Sequence, residues 1–302
     1  MERANGLLSS LRRNFVVKYG DDVSFNYDLY QPIDDNPHKH PFFREVVKGS
    51  NERKQHLGLL TRLVMCEEAN GPTDIGKAHV SKFIEDGQDP EGIGNDSYEQ
   101  HPTAKATLAN MRAFYNVFKN EEAIVGGGAR GFRVEYFVLS LYLLLRHLKN
   151  RYVFGEAEAT LLRSFTMAFH QRWLLRREDD NEMLVFVGHQ QQTGRSIDVR
   201  QRIIWQLFVE HAKLEGVEVK AKDRQRTFTE LQRLEIYRRD EGICQACRKE
   251  GRSEKEAWVP WCEYDADHIL PHSKGGDTST ENAQVLCRTH NRIKGNRVGN
   301  IR

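Results

Sequence analysis

The sequence predicts two domains of different class, a mainly α N-terminal domain followed by a small α+β domain. Three observations predict this. Helical apolar periodicity recurs before residue 215, the chain turns polar between Gly216 and Gln225, and four of the five cysteines fall in the last fifth of the 302 residues. The N-terminal domain is expected over 1–220 and the C-terminal one over 221–302. The length allows two cores, and a 10% aromatic content can furnish both. A net charge of +2, from 45 Lys and Arg against 43 Asp and Glu, is nearly neutral. Any nucleic-acid reading must therefore rest on local clusters rather than on overall charge.

In chain order, the first twenty residues lack an apolar run followed by small residues, so no secretory signal is expected and the chain reads as cytoplasmic. Arg53 to Ala69 puts Leu57, Leu60, Leu63 and Val64 on one stripe, and Ala104 to Lys119 does the same with Leu108, Met111, Phe114, Tyr115 and Phe118. Both read as packed helices. Phe132 to Lys149 is apolar nearly all round, as a central helix is. Its most apolar run, Tyr136 to Leu145, has 10 residues, against about 20 to cross a bilayer, so membrane insertion is not expected. Glu156 to Leu175 and Ile197 to Leu214 complete the helical set with Trp173 and Trp205, and His147 and His170 read as packing or surface residues.

Between these segments, Asp86 to Pro102 and Gly126 to Gly131 read as loops. The second matches G-x-G-x-x-G in letters only. A dinucleotide site needs a strand before the glycines and a helix after them, and neither that context nor an acidic ribose ligand is there. Gly216 to Gln225, without a hydrophobic stripe, reads as a linker. Thr227 to Asp240 then spaces Phe228, Leu231, Leu234 and Tyr237 along one helical face and leaves Arg233, Arg238 and Arg239 toward solvent.

The chemistry is concentrated after Cys244. Cys244-Gln245-Ala246-Cys247 is a C-x-x-C, and Cys287-Arg288-Thr289-His290, beginning 40 residues after Cys247, is a C-x-x-H. Two such knuckles offer three thiolates and an imidazole, the donor set and count of a tetrahedral structural zinc site. A thioredoxin-like redox use of C-x-x-C needs a βαβ context that is missing. Cys262, in the loop between the knuckles, reads as a structural cysteine rather than a fifth ligand.

Between the knuckles lie Asp267-His268-Ile269-Leu270-Pro271, Gly275-Gly276, Asn282, then Leu286-Cys287, and after them Asn291 and Lys294. In this order the residues resemble the HNH endonucleases of the ββα-metal class, in the variant with Asn at the third signature position. The resemblance implies a zinc-stapled ββα-metal domain that hydrolyses DNA phosphodiester bonds by nicking or double-strand cleavage. Two departures stand out. His290 occupies a position that more often holds Cys, and the insert Arg248 to Glu263 is longer than usual.

The residue chemistry agrees with that implication. Phosphodiester hydrolysis needs an activated water and a counter-charge for the developing oxyanion. Asp267 offers a hard oxygen to Mg2+ (or Mn2+), while His268, pointing the other way along a strand, is the expected general base. Asn282 is expected to brace the loop and orient the His268 imidazole. Asn291 is expected to complete the metal site with its carbonyl oxygen, and Cys244, Cys247, Cys287 and His290 to hold structural Zn2+. Arg288, Arg292, Lys294 and Arg297, with no acidic residue among them from Cys287 onward, are the expected DNA contacts. From a different class comes the alternative of a catalytically silent, zinc-stapled DNA-binding or partner-docking module.

His40-Pro41-Phe42-Phe43 with Asn51-Glu52-Arg53, and Tyr142 to Arg146 with Tyr152, look similar to the helical half of large two-part restriction proteins of the GmrSD type. The Asp-Gly-Gln-Gln-Arg signature of their nucleotide-sensing half is missing. The nearest text is Asp86-Gly87-Gln88-Asp89. The resemblance implies a recognition or docking domain in restriction or antiphage defence, with DNA and a protein partner of a defence system as partners.

Overall fold

The computed structural model describes residues 11–21, 24–26, 31–33, 38–47, 55–85, 98–121, 131–223 and 225–298. Asn51 to Arg53, Asp86 to Asp89 and Gly126 to Arg130, each singled out above, lie outside them, as do Arg224 and Arg302. The chain divides into two compact units, Met1–Arg146 with Thr160–Val217, and His147–Ala159 with Glu218–Arg302.

Among its described residues the regular structure of the first unit is helical apart from one short antiparallel pair, β1 (Ser24–Asn26) and β2 (Gln31–Ile33). Its helices are α1 (Leu11–Gly20), α2 (Gln55–Glu68), α3 (Lys77–Glu85), α4 (Pro102–Phe118), α5 (Glu135–Arg151), α6 (Glu156–Leu175), α7 (Asn181–Gly188) and α8 (Gly194–Leu214), with the ends of α5 and α6 that meet at 147–159 assigned to the second unit. Local chemistry sets their starts. Pro102 stands in the first turn of α4, where its missing N–H costs nothing, and the side chains of Asp180 and Thr193 accept from Met183 N and Ser196 N at the heads of α7 and α8.

The core of this unit is a chain of rings: Phe42 to Phe114 (5.1 Å), Phe114 to Phe118 (4.6 Å), Phe118 to Phe132 (5.2 Å), Phe137 to Phe169 (5.6 Å) and Phe169 to Phe186 (5.0 Å). Four of these contacts are tilted or edge-on, a favoured aromatic geometry, and the Phe137–Phe169 pair is stacked. Tyr136 to Leu145 is buried in α5 from Phe137 on, and no described helix is long and apolar enough to cross a membrane. Of the histidines read as packing or surface residues, His170 is buried against Trp173, while His147 is exposed and stands in the second unit.

In the second unit α9 (Glu230–Arg239) is followed by two short helices, α10 (Gln245–Lys249) and α11 (Glu254–Ala257), then strands β3 (Tyr264–His268) and β4 (Ala283–Cys287) and the closing helix α12 (Arg288–Lys294). A full capping box between Thr229 and Gln232 starts α9. The strands pair antiparallel, with Asp267 opposite Gln284 and His268 opposite Ala283. Ile236, Tyr264, Val285 and Leu286 form the core, and the Asp240 carboxylate accepts from Val285 N at 2.8 Å, tying the end of α9 to β4.

The segment expected to be a linker is paired from Lys220 onward. Val153 N donates to Lys220 O and Lys222 N to Arg151 O, both at 2.9 Å, around an antiparallel bridge of Tyr152 with Ala221. The physical reason is that its polar backbone finds partners in a stretch some 70 residues earlier, which no local pattern announces.

Candidate active site

Both knuckles are built in the same way. Cys244 caps α10 and Cys247 stands in its first turn, and Cys287 caps α12 with His290 in its first turn. A helix start thus turns each three-residue spacing into two side chains on one side. The sulfurs of Cys244, Cys247 and Cys287 lie 3.4, 3.3 and 3.3 Å from His290 Nδ1, and all four ligand atoms fall within 4.8 Å of one another. Zinc bonds of about 2.3 Å to sulfur and 2.0–2.1 Å to nitrogen at tetrahedral angles give S to N edges of about 3.5 Å, so the four residues fit a zinc ion. The other ring nitrogen of His290 meets Glu250 Oε1 at 3.0 Å, a carboxylate that fixes the ring and that sequence reasoning missed. Cys262 is exposed and stands apart from the cluster.

On β3 the residues alternate as the strand period demands. Asp265 and Asp267 face α12, where Asn291 Nδ2 donates to Asp265 Oδ2 at 3.0 Å and Lys294 Nζ lies 2.7 Å from Asp267 Oδ2. Gln284, across the strand pair, adds a bond of 3.1 Å to the same Asp267 oxygen. One expectation is corrected here. The side chain of Lys294 is 1% exposed and its ammonium holds Asp267 and His268 O (2.7 Å), so it is an internal tie rather than a DNA contact. Asn291 uses its amide nitrogen on Asp265, a bond that leaves out the carbonyl oxygen expected to serve the metal. Asp265 escaped notice because nothing in its spacing separates it from a solvated acid. The donor chemistry of Asp267 and Asn291 still suits a hard cation, since Asp267 Oδ1 and Asn291 Oδ1 are oxygens outside these bonds.

His268 lies on the opposite face of β3, its ring 4.5 Å from that of Phe228. Its Nε2 is 3.0 Å from Thr278 Oγ1, and that hydroxyl donates to Gln225 O. A carbonyl cannot donate, so the single hydroxyl proton is committed to Gln225. Nε2 therefore carries the ring proton, and Nδ1 is the basic nitrogen of neutral His268. Burial, with the charge of His272, holds the imidazole below its ordinary 6.5, which keeps it neutral at pH 7. Asp223 supports Thr278 by accepting from its backbone N–H at 2.7 Å, and His272 donates to Asp223 O at 2.8 Å.

Asn282 does brace the loop, but it does not touch the imidazole. Its Oδ1 accepts from Leu270 N (2.8 Å), and its Nδ2 donates to Leu270 O (3.1 Å) and Asp277 O (2.8 Å). Because it directly precedes β4, its side chain closes the 270–277 loop, and the orienting contact falls to Thr278. The Gly-Gly turn is required by space. Gly275 has φ +87, and a Cβ on Gly276 would stand 1.8 Å from Leu270 O.

A cleft of about 1140 Å³ is lined by Asp267 and His268 and by Lys149, Arg151, Lys222 and Arg226. Arg288, Arg292 and Arg297 are exposed, whereas Arg239 is spent on Ala283 O and Thr280 O. Arg233 stacks over Tyr264 with 4.9 Å to its ring centre.

Neither the curated proteins nor the solved structures include a match to the chain. Within the second unit, the stretch that holds both knuckles and the Asp-His strand is also the stretch that a family model recognises: residues 244–300 match the HNH endonuclease family.

Proposed function

We propose that the second unit hydrolyses DNA phosphodiester bonds with His268 as general base. The observation that carries this reading is that one cleft is lined both by the Asp267–His268 pair and by four cations. A water beside His268 Nδ1 gives its proton to that nitrogen as its oxygen bonds to phosphorus. The bond to the departing oxygen then breaks, and that oxygen takes up a proton from solvent. Thr278 holds the ring so that the basic nitrogen stays available, and Asn282 holds the loop that follows. A divalent ion, Mg2+ or Mn2+, held by Asp267 and Asn291, supplies counter-charge to the leaving group when bound. Zinc at Cys244, Cys247, Cys287 and His290 serves as scaffold, and Arg288, Arg292 and Arg297 contact phosphates.

Supercoiled plasmid incubated with the protein and Mg2+ tests the reading. His268→Ala should lower cleavage by about 10² or more with an unchanged melting temperature. Wild-type cleavage by that variant would remove His268 from the mechanism, and DNA binding without cleavage by the wild type would leave a silent binding module. Restriction or antiphage defence with a protein partner is the biological setting we propose, to be checked by phage plating on cells carrying wild type or His268→Ala.

A further inference from the structure

Resting on that nuclease reading, we propose that the C-terminal end of α5 and the irregular segment at Arg226 form a phosphate-binding wall for the substrate strand, with Arg151 and Arg226 as its principal contacts. Neither residue lies in the segment 244–300 that matches the endonuclease family. Both line the same cleft as His268, both are exposed, and among the described residues neither makes an ion pair.

The end of a helix would ordinarily repel a phosphate, because its last carbonyls are unpaired and carry the negative pole of the helix dipole. Here three of those four carbonyls are covered. Leu148 O accepts from Tyr152 N, Lys149 O from the Lys222 ammonium, and Arg151 O from Lys222 N. Lys222 thus brings a positive charge to the negative pole, and the same two backbone bonds that join 151–153 to 220–222 hold Arg151 in the cleft wall.

The charge balance of the lining favours an anion. Lys149, Arg151, Lys222 and Arg226 stand against Asp223 and Asp267. Asp267 is neutralised by Lys294, and the Asp223 carboxylate is taken by the N–H groups of Thr278 and Gln225. At about 1140 Å³ the cleft also exceeds the roughly 300–1,000 Å³ of small-molecule pockets, as a polymer site would. An exposed guanidinium beside such a cleft is suited to bidentate contact with a phosphodiester.

The test uses the full chain in a His268→Ala background, so that binding is read without cleavage, and a short mixed-sequence DNA duplex followed by fluorescence anisotropy between 50 and 200 mM salt. Each phosphate contact contributes about 0.9 to the slope of log affinity against log salt, so Arg151→Ala with Arg226→Ala should make the slope shallower by about 1.8 and weaken binding by about tenfold per arginine at 100 mM. Arg151→Lys with Arg226→Lys should keep the slope, and Arg177→Ala, on the first unit, should leave it unchanged. An unaltered slope in the double alanine variant would overturn the wall while leaving the nuclease reading intact. Failure of the parent protein to bind duplex at any salt would overturn both.

Discussion

Lys294→Met removes the charge that ties α12 to β3 and keeps most of the side-chain volume. The Lys294 side chain is 1% exposed, and its ammonium is 2.7 Å from Asp267 Oδ2 and 2.7 Å from His268 O. Taking one partner from a buried ion pair costs about 3–5 kcal/mol, because the other charge is left without its counter-charge. Asp267 keeps the bond from Gln284, and its side chain is 15% exposed, so the lower end, about 3 kcal/mol, is expected. Hydrogen exchange at the amides of β3 and β4 reads this directly for the second unit. A loss of about 3 kcal/mol speeds exchange through global opening by about 10²-fold. Asp267→Asn removes the opposite charge, and the double variant should cost less than the two singles together by at least about 1.5 kcal/mol. Additivity of the two singles within about 0.5 kcal/mol would refute the pairing.

Glu250→Gln weakens the hold on the His290 ring, and zinc affinity measured against a competing chelator should fall by about 10–100-fold; an unchanged affinity would detach Glu250 from the site. Thr278→Val removes the hydroxyl that fixes the ring proton of His268 on Nε2, and cleavage should fall by about tenfold and recover in Thr278→Ser, whereas a wild-type rate in the valine variant would dismiss the contact. Burial, then Arg112 and Arg44, hold the His40 imidazole at about 4 against an ordinary 6.5. The folded state therefore takes up fewer protons, so stability is full above pH 6.5 and declines toward pH 4 by about 3 kcal/mol, a slope that His40→Asn should flatten in denaturant titrations. Equal slopes in wild type and variant would show that His40 is not the group responsible.

The Cys/His cluster was legible because metal geometry and helix starts impose short spacings: Cys244 with Cys247 and Cys287 with His290 each sit at a cap and in the following turn. The long helices were legible for a similar reason. α6 begins and ends where its periodicity does, at Glu156 and Leu175, and α2, α4 and α8 lie within a few residues of expectation. The helices α1, α3 and α7 were not, since each is short and leans on tertiary packing; Phe15 and Val16 are the buried apolar pair of α1. At the site, the alternation that sends Asp267 and His268 to opposite faces could be read from a two-residue period. Their partners could not. Lys294 in a run of basic residues looks like a solvated cation until β3 is laid against α12, and Thr278 and Asp223 are ordinary polar residues until the fold brings them beside His268 and its loop.

The second unit is assembled from two stretches of sequence, with Thr160–Val217, a part of the first unit, encoded between them. Such a unit does not behave as a self-contained cassette. A recombination junction anywhere in 160–217 would carry the endonuclease motif into a new host without the 151–153 stretch that pairs with 220–222, and so without Arg151. Descendants of such an event would keep every motif residue from Cys244 to Lys294 while having to supply a new backbone partner for Lys220 and Lys222. Inheritance of the complete unit is therefore tied to inheritance of the 147–159 stretch, for a reason of chain connectivity rather than of regulation.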